Sequence, residues 1–313
     1  MRNSQNRIKA IMIGHAVGDA LGVPVEFWKR EKLESDPVTD MRGYGSYNVP
    51  AGAWSDDTSM SVAALDSLAD GTVDYDGIMD NFVKWIEDGK YTPTGEAFDI
   101  GRTCLAALRR YRGGGVAATE CGLAEELSNG NGSLMRIHPF SIMAYYCGDV
   151  SRHWQSVIEE ASALTHAHER SKLACKIYTL LMLHLLDIPS KESARTALAM
   201  ANNIYRESTE HESYARLFSV DFEHLPREAI RSSGYVVDTL EAATWCLLTT
   251  DSYPACVLKA VNLGGDTDTI AAIAGGLAGA LYGYEAIPKA WRDALIGWEA
   301  IEALCERASR NWH

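Results

Sequence analysis

Ile8-Lys9-Ala10-Ile11-Met12-Ile13-Gly14-His15-Ala16-Val17-Gly18-Asp19-Ala20-Leu21-Gly22 sets Ile8, Ile11, Met12, His15 and Ala16 at helical spacing on one face. The stretch also carries Gly14, Ala16, Gly18, Ala20 and Gly22. Each helical glycine costs about 1 kcal/mol relative to alanine, so a second helix packed closely against them is the expected compensation. Ala271, Ala272, Ala274, Gly275, Gly276, Ala278, Gly279 and Ala280 form a second run of the same character. Both read as packing helices.

Outward from the first run, the helical period continues through Met60, Ala63, Ala64 and Leu68, then Ile78, Phe82 and Trp85. Further helices are predicted near 103–111, 133–147, 153–164, 170–186, 191–206, 238–249, 254–262, 268–282 and 289–309, separated by punctuators such as Gly113-Gly114-Gly115 and Ile188-Pro189-Ser190. No run alternates as a strand and no long repeat recurs, so the expectation is an all-α, compact single-domain helical bundle over residues 1–313.

Hydrophobic residues at 47% and charged residues at 23% describe a soluble globular chain and exclude a disordered one. The 29 Lys+Arg against 42 Asp+Glu leave a net charge of -13, the wrong sign for neutralising phosphates along a nucleic acid. His15 and Asp19 interrupt the first apolar run, so neither signal peptide nor membrane span is expected. The 7 cysteines are odd in number and form no CxxC pair, which predicts a reducing compartment and a cytoplasmic protein.

Trp54-Ser55-Asp56-Asp57-Thr58-Ser59-Met60 puts two carboxylates and three hydroxyls where an apolar helix begins. Alone, this is an ordinary N-terminal cap. Leu263-Gly264-Gly265-Asp266-Thr267-Asp268-Thr269 repeats the chemistry after a diglycine. Two such helix starts brought together would hold four aspartates that repel one another unless cations intervene. Hard oxygen ligands of this kind suit Mg²⁺ or Mn²⁺ in a two-metal site.

Six segments, Gly18-Asp19-Ala20-Leu21-Gly22 with Glu26, Ser55-Asp56-Asp57-Thr58, Asn131-Gly132-Ser133-Leu134-Met135-Arg136, Thr165-His166-Ala167-His168, Gly234-Tyr235-Val236-Val237-Asp238-Thr239 and Gly264-Gly265-Asp266-Thr267-Asp268-Thr269, together resemble the ADP-ribosylglycohydrolase family, in family order. The resemblance implies an all-α fold with two Mg²⁺ or Mn²⁺ ions in a central cleft and hydrolysis at the distal ribose of ADP-ribose. It makes Ser55, Asp56, Asp57, Asp266, Asp268 and Thr269 the metal ligands, Ser55 standing where many relatives have threonine. Glu26, Asp57 and Asp99 are the implied catalytic acids, Glu26 beside the metals and Asp99 at the distal ribose. The implied partner is an ADP-ribosylated protein, modified on arginine, with ADP-ribose as ligand or product.

Substrate contacts are implied for Asn131, Gly132, Ser133, Leu134, Met135, His166 and Tyr235. A Gly/Ser turn opening a helix also exposes backbone N–H groups to an anion, so a diphosphate would fit there, although a plain turn has the same sequence. His166 and His168 are two apart and make a weak metal pair. Tyr235 is the implied adenosine-stacking ring, whereas its position before Val236 and Val237 reads by itself as core. The alternatives are a non-catalytic binder, such as an immunity protein occupying a toxin, and a hydrolase of small ADP-ribose conjugates.

Overall fold

The computed structural model describes residues 2–312. Fifteen α-helices follow in order: α1 (Arg2–Gly22), α2 (Arg30–Ser35), α3 (Asp56–Leu68), α4 (Tyr75–Asp88), α5 (Arg102–Gly113), α6 (His138–Tyr146), α7 (Gly148–Arg152), α8 (Trp154–Ala163), α9 (Glu169–Asp187), α10 (Lys191–Ile204), α11 (Val236–Leu248), α12 (Tyr253–Val261), α13 (Thr267–Tyr282), α14 (Lys289–Ala294) and α15 (Trp298–Asn311). Among the described residues there is no strand, and isolated bridges join only Leu123 to His166 and Gly130 to Tyr235. The fold is all-α.

The two small-residue helices meet along their whole length. A Cβ on Gly14 would lie 2.6 Å from the carbonyl oxygen of Gly275, and one on Gly18 would lie 2.0 Å from that of Ala271. One on Gly22 would lie 2.3 Å from the Cα of Asp268. As α1 advances α13 recedes, so the pair is antiparallel and the backbones touch where side chains would normally stand. This contact sets the C-terminal end of α1, with Asp19, against the N-terminal end of α13, with Asp268.

The apolar run of α1 is not interrupted at His15 and Asp19. Both are 0% exposed inside one continuous helix. By length and composition Ser4–Val25 could cross a membrane, yet 94% of its most apolar window is buried by the rest of the chain, as in a core helix. All eight tryptophans join or pack against the single core cluster.

Two long helices predicted from periodicity are each divided. The 133–147 segment is a 3-10 turn, Leu134–Arg136, followed by α6, because Pro139 in the first turn of α6 lacks the N–H that would extend the preceding turn. The 289–309 segment breaks into α14 and α15 at Gly297, whose φ of 77° belongs to the left-handed region.

Candidate functional site

Ser55 caps α3 by accepting the backbone N–H of Asp57 at 3.3 Å, and Asp56 and Asp57 occupy the first turn. Thr269, in the first turn of α13, donates its hydroxyl to Asp57 Oδ2 at 3.2 Å, and Ser55 Oγ donates to the same oxygen at 3.1 Å. The two acidic helix starts therefore meet, as the duplicated motif predicts. Gly264 and Gly265 both have left-handed φ, 75° and 74°. Gly265 donates its N–H to the Trp28 carbonyl at 2.8 Å and accepts that of Phe27 at 2.7 Å. Those bonds carry Glu26 to the same point, and one oxygen from each of Glu26, Asp266 and Asp268 falls within 4.8 Å of the others.

A cleft of about 260 Å³ opens onto this cluster. Glu26, Asp56, Asp99, Asp266 and Thr269 line it together with Gly130, Asn131, Gly132, Met135, His166 and Gly234. Ser55, Asp57 and Asp268 are buried and stand outside that lining. Burial, then the neighbouring acids Asp99 and Asp57, holds the Asp56 carboxyl well above the usual range; burial and surrounding acids do the same to Asp57 and Asp268. Glu26 is pushed up to about 9 by burial, then by Asp99 and Asp266.

Glu26 Oε2, Asp57 Oδ1 and Asp268 Oδ2 are buried without a hydrogen-bond partner. Buried carboxylate oxygens left bare are costly, and divalent cations that take hard oxygen ligands relieve both the missing bonds and the repulsion. The donor set fits Mg²⁺ or Mn²⁺.

Beside Asp266 the Asn131 N–H is held by the Gly234 carbonyl at 3.0 Å, while the N–H groups of Gly132, Ser133 and Leu134 have no backbone acceptor among the described residues. The side chains of Ser133 and Leu134 do not enter the cleft, however: Ser133 is 0% exposed and its Oγ accepts from Ser162 at 2.9 Å, and Leu134 is in the core. Of this motif, Asn131, Gly132 and Met135 are the residues that line the cleft. Asn131 also donates through its Nδ2 to Asp266 Oδ2 at 2.7 Å and Thr239 Oγ1 at 3.0 Å, which fixes a carboxylate.

His166 is buried and its imidazole is lowered to about 3, by burial and then by the charge of Arg136, so it is neutral. Arg136 Nη2 donates to Thr165 Oγ1 at 2.7 Å, which leaves the Thr165 hydroxyl to donate to His166 Nδ1 at 2.9 Å. In the tautomer in which Thr165 donates to Nδ1, the ring proton is on Nε2 and that nitrogen is a donor. His168 plays another part, capping α9 by accepting the Arg170 N–H at 3.1 Å.

Tyr235 is half-buried rather than core, its ring 5.9 Å from the Arg170 guanidinium. It stands beside Gly234 at the rim, outside the lining itself.

Asp19 and Tyr47 escaped the sequence reading. Asp19, 0% exposed, accepts the backbone N–H groups of Ser55 (3.0 Å) and Thr58 (3.0 Å) and so sets the start of α3. Tyr47 donates to Asp99 Oδ1 at 2.6 Å and packs on Phe98 with centroids 4.9 Å apart. Asp99 itself has a left-handed φ of 54°, a strained backbone for a residue with a Cβ. Asp19 lies inside a quoted motif and is the one acid in an otherwise small and apolar run, a usable signal. Nothing in the sequence marks Tyr47.

The family model for ADP-ribosylglycohydrolase matches residues 1–313. The ADP-ribosylarginine hydrolase Tri1 of Serratia proteamaculans is 34% identical over 305 residues, covering 97% of this chain and 79% of the relative. The ADP-ribosyl-[dinitrogen reductase] glycohydrolase of Rhodospirillum rubrum is 32% identical, covering 93% and 90%. A solved structure described as an ADP-ribosylglycohydrolase-related protein complex superposes with a TM-score of 0.84 at 30% identity over 100% of both chains. With a buried acidic cluster at two helix starts and similarity along its whole length, this chain belongs to the ADP-ribosylglycohydrolase family.

Proposed function

We propose that the protein is a metal-dependent hydrolase that removes ADP-ribose from modified arginine side chains of proteins. The observation that carries this reading is the set of bare buried oxygens on Glu26, Asp57 and Asp268, of which Glu26 lines the cleft and Asp57 and Asp268 lie buried behind the cleft-lining Asp56, Asp266 and Thr269. Two relatives at 34% and 32% identity carry names for hydrolysis of ADP-ribosylarginine and of an ADP-ribosylated protein, which supports the substrate class.

Ser55, Asp56, Asp57, Asp266, Asp268 and Thr269 would hold two Mg²⁺ or Mn²⁺ ions. Such ions supply Lewis acidity toward ribose hydroxyls and lower the pKa of water. Asn131 holds Asp266 by its amide and Asp19 holds the start of α3, so the acids are oriented before substrate arrives. Asp99, with one oxygen occupied by Tyr47, presents the other to the distal ribose. The Gly132 N–H and the neutral His166 ring receive the diphosphate, and Tyr235 stacks on adenine at the rim. Water adds to the anomeric carbon as its bond to the guanidine nitrogen breaks, with oxocarbenium character at the carbon. Glu26 or Asp99 takes the water proton and the leaving guanidine gains one, giving ADP-ribose and free arginine.

We also propose that residues 1–313 act as one domain in the cytoplasm, in keeping with the buried free thiols of Cys104, Cys121, Cys175, Cys246, Cys256 and Cys305. Limited proteolysis and cell fractionation test both points. The central test is incubation of ADP-ribosyl-arginine, ADP-ribosyl-serine and small ADP-ribose conjugates with the protein and Mg²⁺ or Mn²⁺, with mass spectrometry of released ADP-ribose. Release from the arginine linkage is expected. Binding without release from any linkage would replace the hydrolase with a non-catalytic binder.

A further inference from the structure

Four carboxylates line the cleft, and among the described residues lining it Arg102 is the one Lys or Arg side chain. It is exposed in the first turn of α5 and makes no hydrogen bond or ion pair to another described residue. That is unusual beside so many acids. Asp99 is engaged by Tyr47 and Asp266 by Asn131, while Asp56 is only 5% exposed, so the guanidinium is left free toward the opening.

Its placement is set by a tight contact. A Cβ added to Gly132 would lie 2.8 Å from Cys104 Sγ and 2.8 Å from His166 Cε1, so the Gly132 turn is wedged between α5 and His166. Arg102, two residues before Cys104, therefore stands on the element seated against the free N–H groups of that turn. A ligand with a phosphate there meets neutral donors from the turn and from His166, and repulsion from the acids across the cleft. A planar guanidinium with parallel donors supplies what neutral donors lack, a countercharge with bidentate geometry for phosphate.

We infer that Arg102 is a specificity-determining residue that pairs with the diphosphate of an ADP-ribosyl ligand and selects it over singly phosphorylated or uncharged ribosides. The inference rests on the reading of the cleft as an ADP-ribose site. The guanidinium acts in binding and takes no part in bond breaking.

The experiment is calorimetric titration of wild-type, Arg102→Ala and Arg102→Lys protein with ADP-ribose, AMP and adenosine, at low and high salt, with melting temperatures measured in parallel. Loss of a charge-assisted phosphate contact should weaken ADP-ribose binding about tenfold or more in Arg102→Ala, and Arg102→Lys should restore part of it. The preference for ADP-ribose over AMP should shrink, and the salt dependence should flatten. An exposed, unpaired side chain leaves folding untouched, so the melting temperature should not move. ADP-ribose affinity in Arg102→Ala within about twofold of wild type, at both salt concentrations, overturns the inference while leaving the cleft assignment standing. Wild-type protein that binds no ADP-ribose removes the cleft assignment and the inference with it.

Discussion

The carboxylate of Asp19 accepts both the backbone N–H (3.0 Å) and the hydroxyl (2.6 Å) of Thr58, from 39 positions away in the chain. It satisfies N–H groups that any helix start leaves bare, and does so from α1, whose position is fixed by its contact with α13. The start of α3 is thereby tied to the start of α13. Asp19→Ala should leave buried donors unpaired at about 1–3 kcal/mol each, lowering the melting temperature and metal affinity together. Asp19→Asn retains an acceptor oxygen and should lose less. Unchanged metal affinity in Asp19→Ala would separate Asp19 from the ordering of the acidic cluster.

Divalent cations should stabilise the protein, and increasingly so as pH rises. The site acids sit above their unfolded values, Asp19 at about 6 and Glu26 at about 9. A group raised in this way contributes stability fully below about pH 4, its unfolded value, and loses it as pH rises through the folded one. In chelator, the melting temperature should fall between about pH 5 and 9 on this account. Added Mg²⁺ or Mn²⁺ should reverse the fall, and Asp268→Asn should blunt that rescue while leaving far-ultraviolet circular dichroism intact. A rescue of equal size in Asp268→Asn would move the cations elsewhere.

Gly18→Ala should be among the most damaging single-methyl changes in the chain. The added carbon would stand 2.0 Å from the Ala271 carbonyl oxygen, backbone that cannot rotate away. Overpacking of this kind costs about 1–3 kcal/mol or more, and here it also pushes Asp19 from Asp268. Thermal denaturation and metal titration of the variant should both be impaired. A melting temperature equal to wild type would show that α1 and α13 can part at little cost.

Tyr235→Ala tests the rim. The ring is half-buried and outside the cleft lining, so its removal should reduce stability less than the loss of a core aromatic, about 3–5 kcal/mol. Stacking on a base contributes about 1–3 kcal/mol, so ADP-ribose affinity should drop about 5-fold to 150-fold. Normal affinity with a large stability loss would return Tyr235 to a packing role.

Tyr47→Phe deletes only the hydroxyl that reaches Asp99 at 2.6 Å and keeps the ring on Phe98. On the proposed function, kcat/KM should fall about tenfold, since one hydrogen bond to a charged group contributes about 1.5–3 kcal/mol. Folding should be retained. Wild-type kinetics in this variant would free Asp99 from dependence on Tyr47.

The sequence by itself determined the helical class, through apolar spacing and through glycines that make sense only against another backbone. It also determined the chemistry at two helix starts, because Ser55-Asp56-Asp57 and Asp266-Thr267-Asp268-Thr269 announce hard oxygen ligands locally. The tertiary structure alone decided which polar residues face the cleft. Ser133 and Leu134 belong to a legible motif, yet both are buried and leave Asn131, Gly132 and Met135 to line the cleft. Asn131 has the same motif membership and serves a carboxylate 135 positions away. Tyr47 and Arg102 carry no sequence signal, since their meaning comes from Asp99 and Gly132, residues placed beside them only when the chain closes. Periodicity and capping are short-range and visible in order along the chain. The small-residue runs announce that two helices approach closely, but hydrogen bonds between distant loops depend on which residues that approach of α1 and α13 brings together, and no local pattern encodes that.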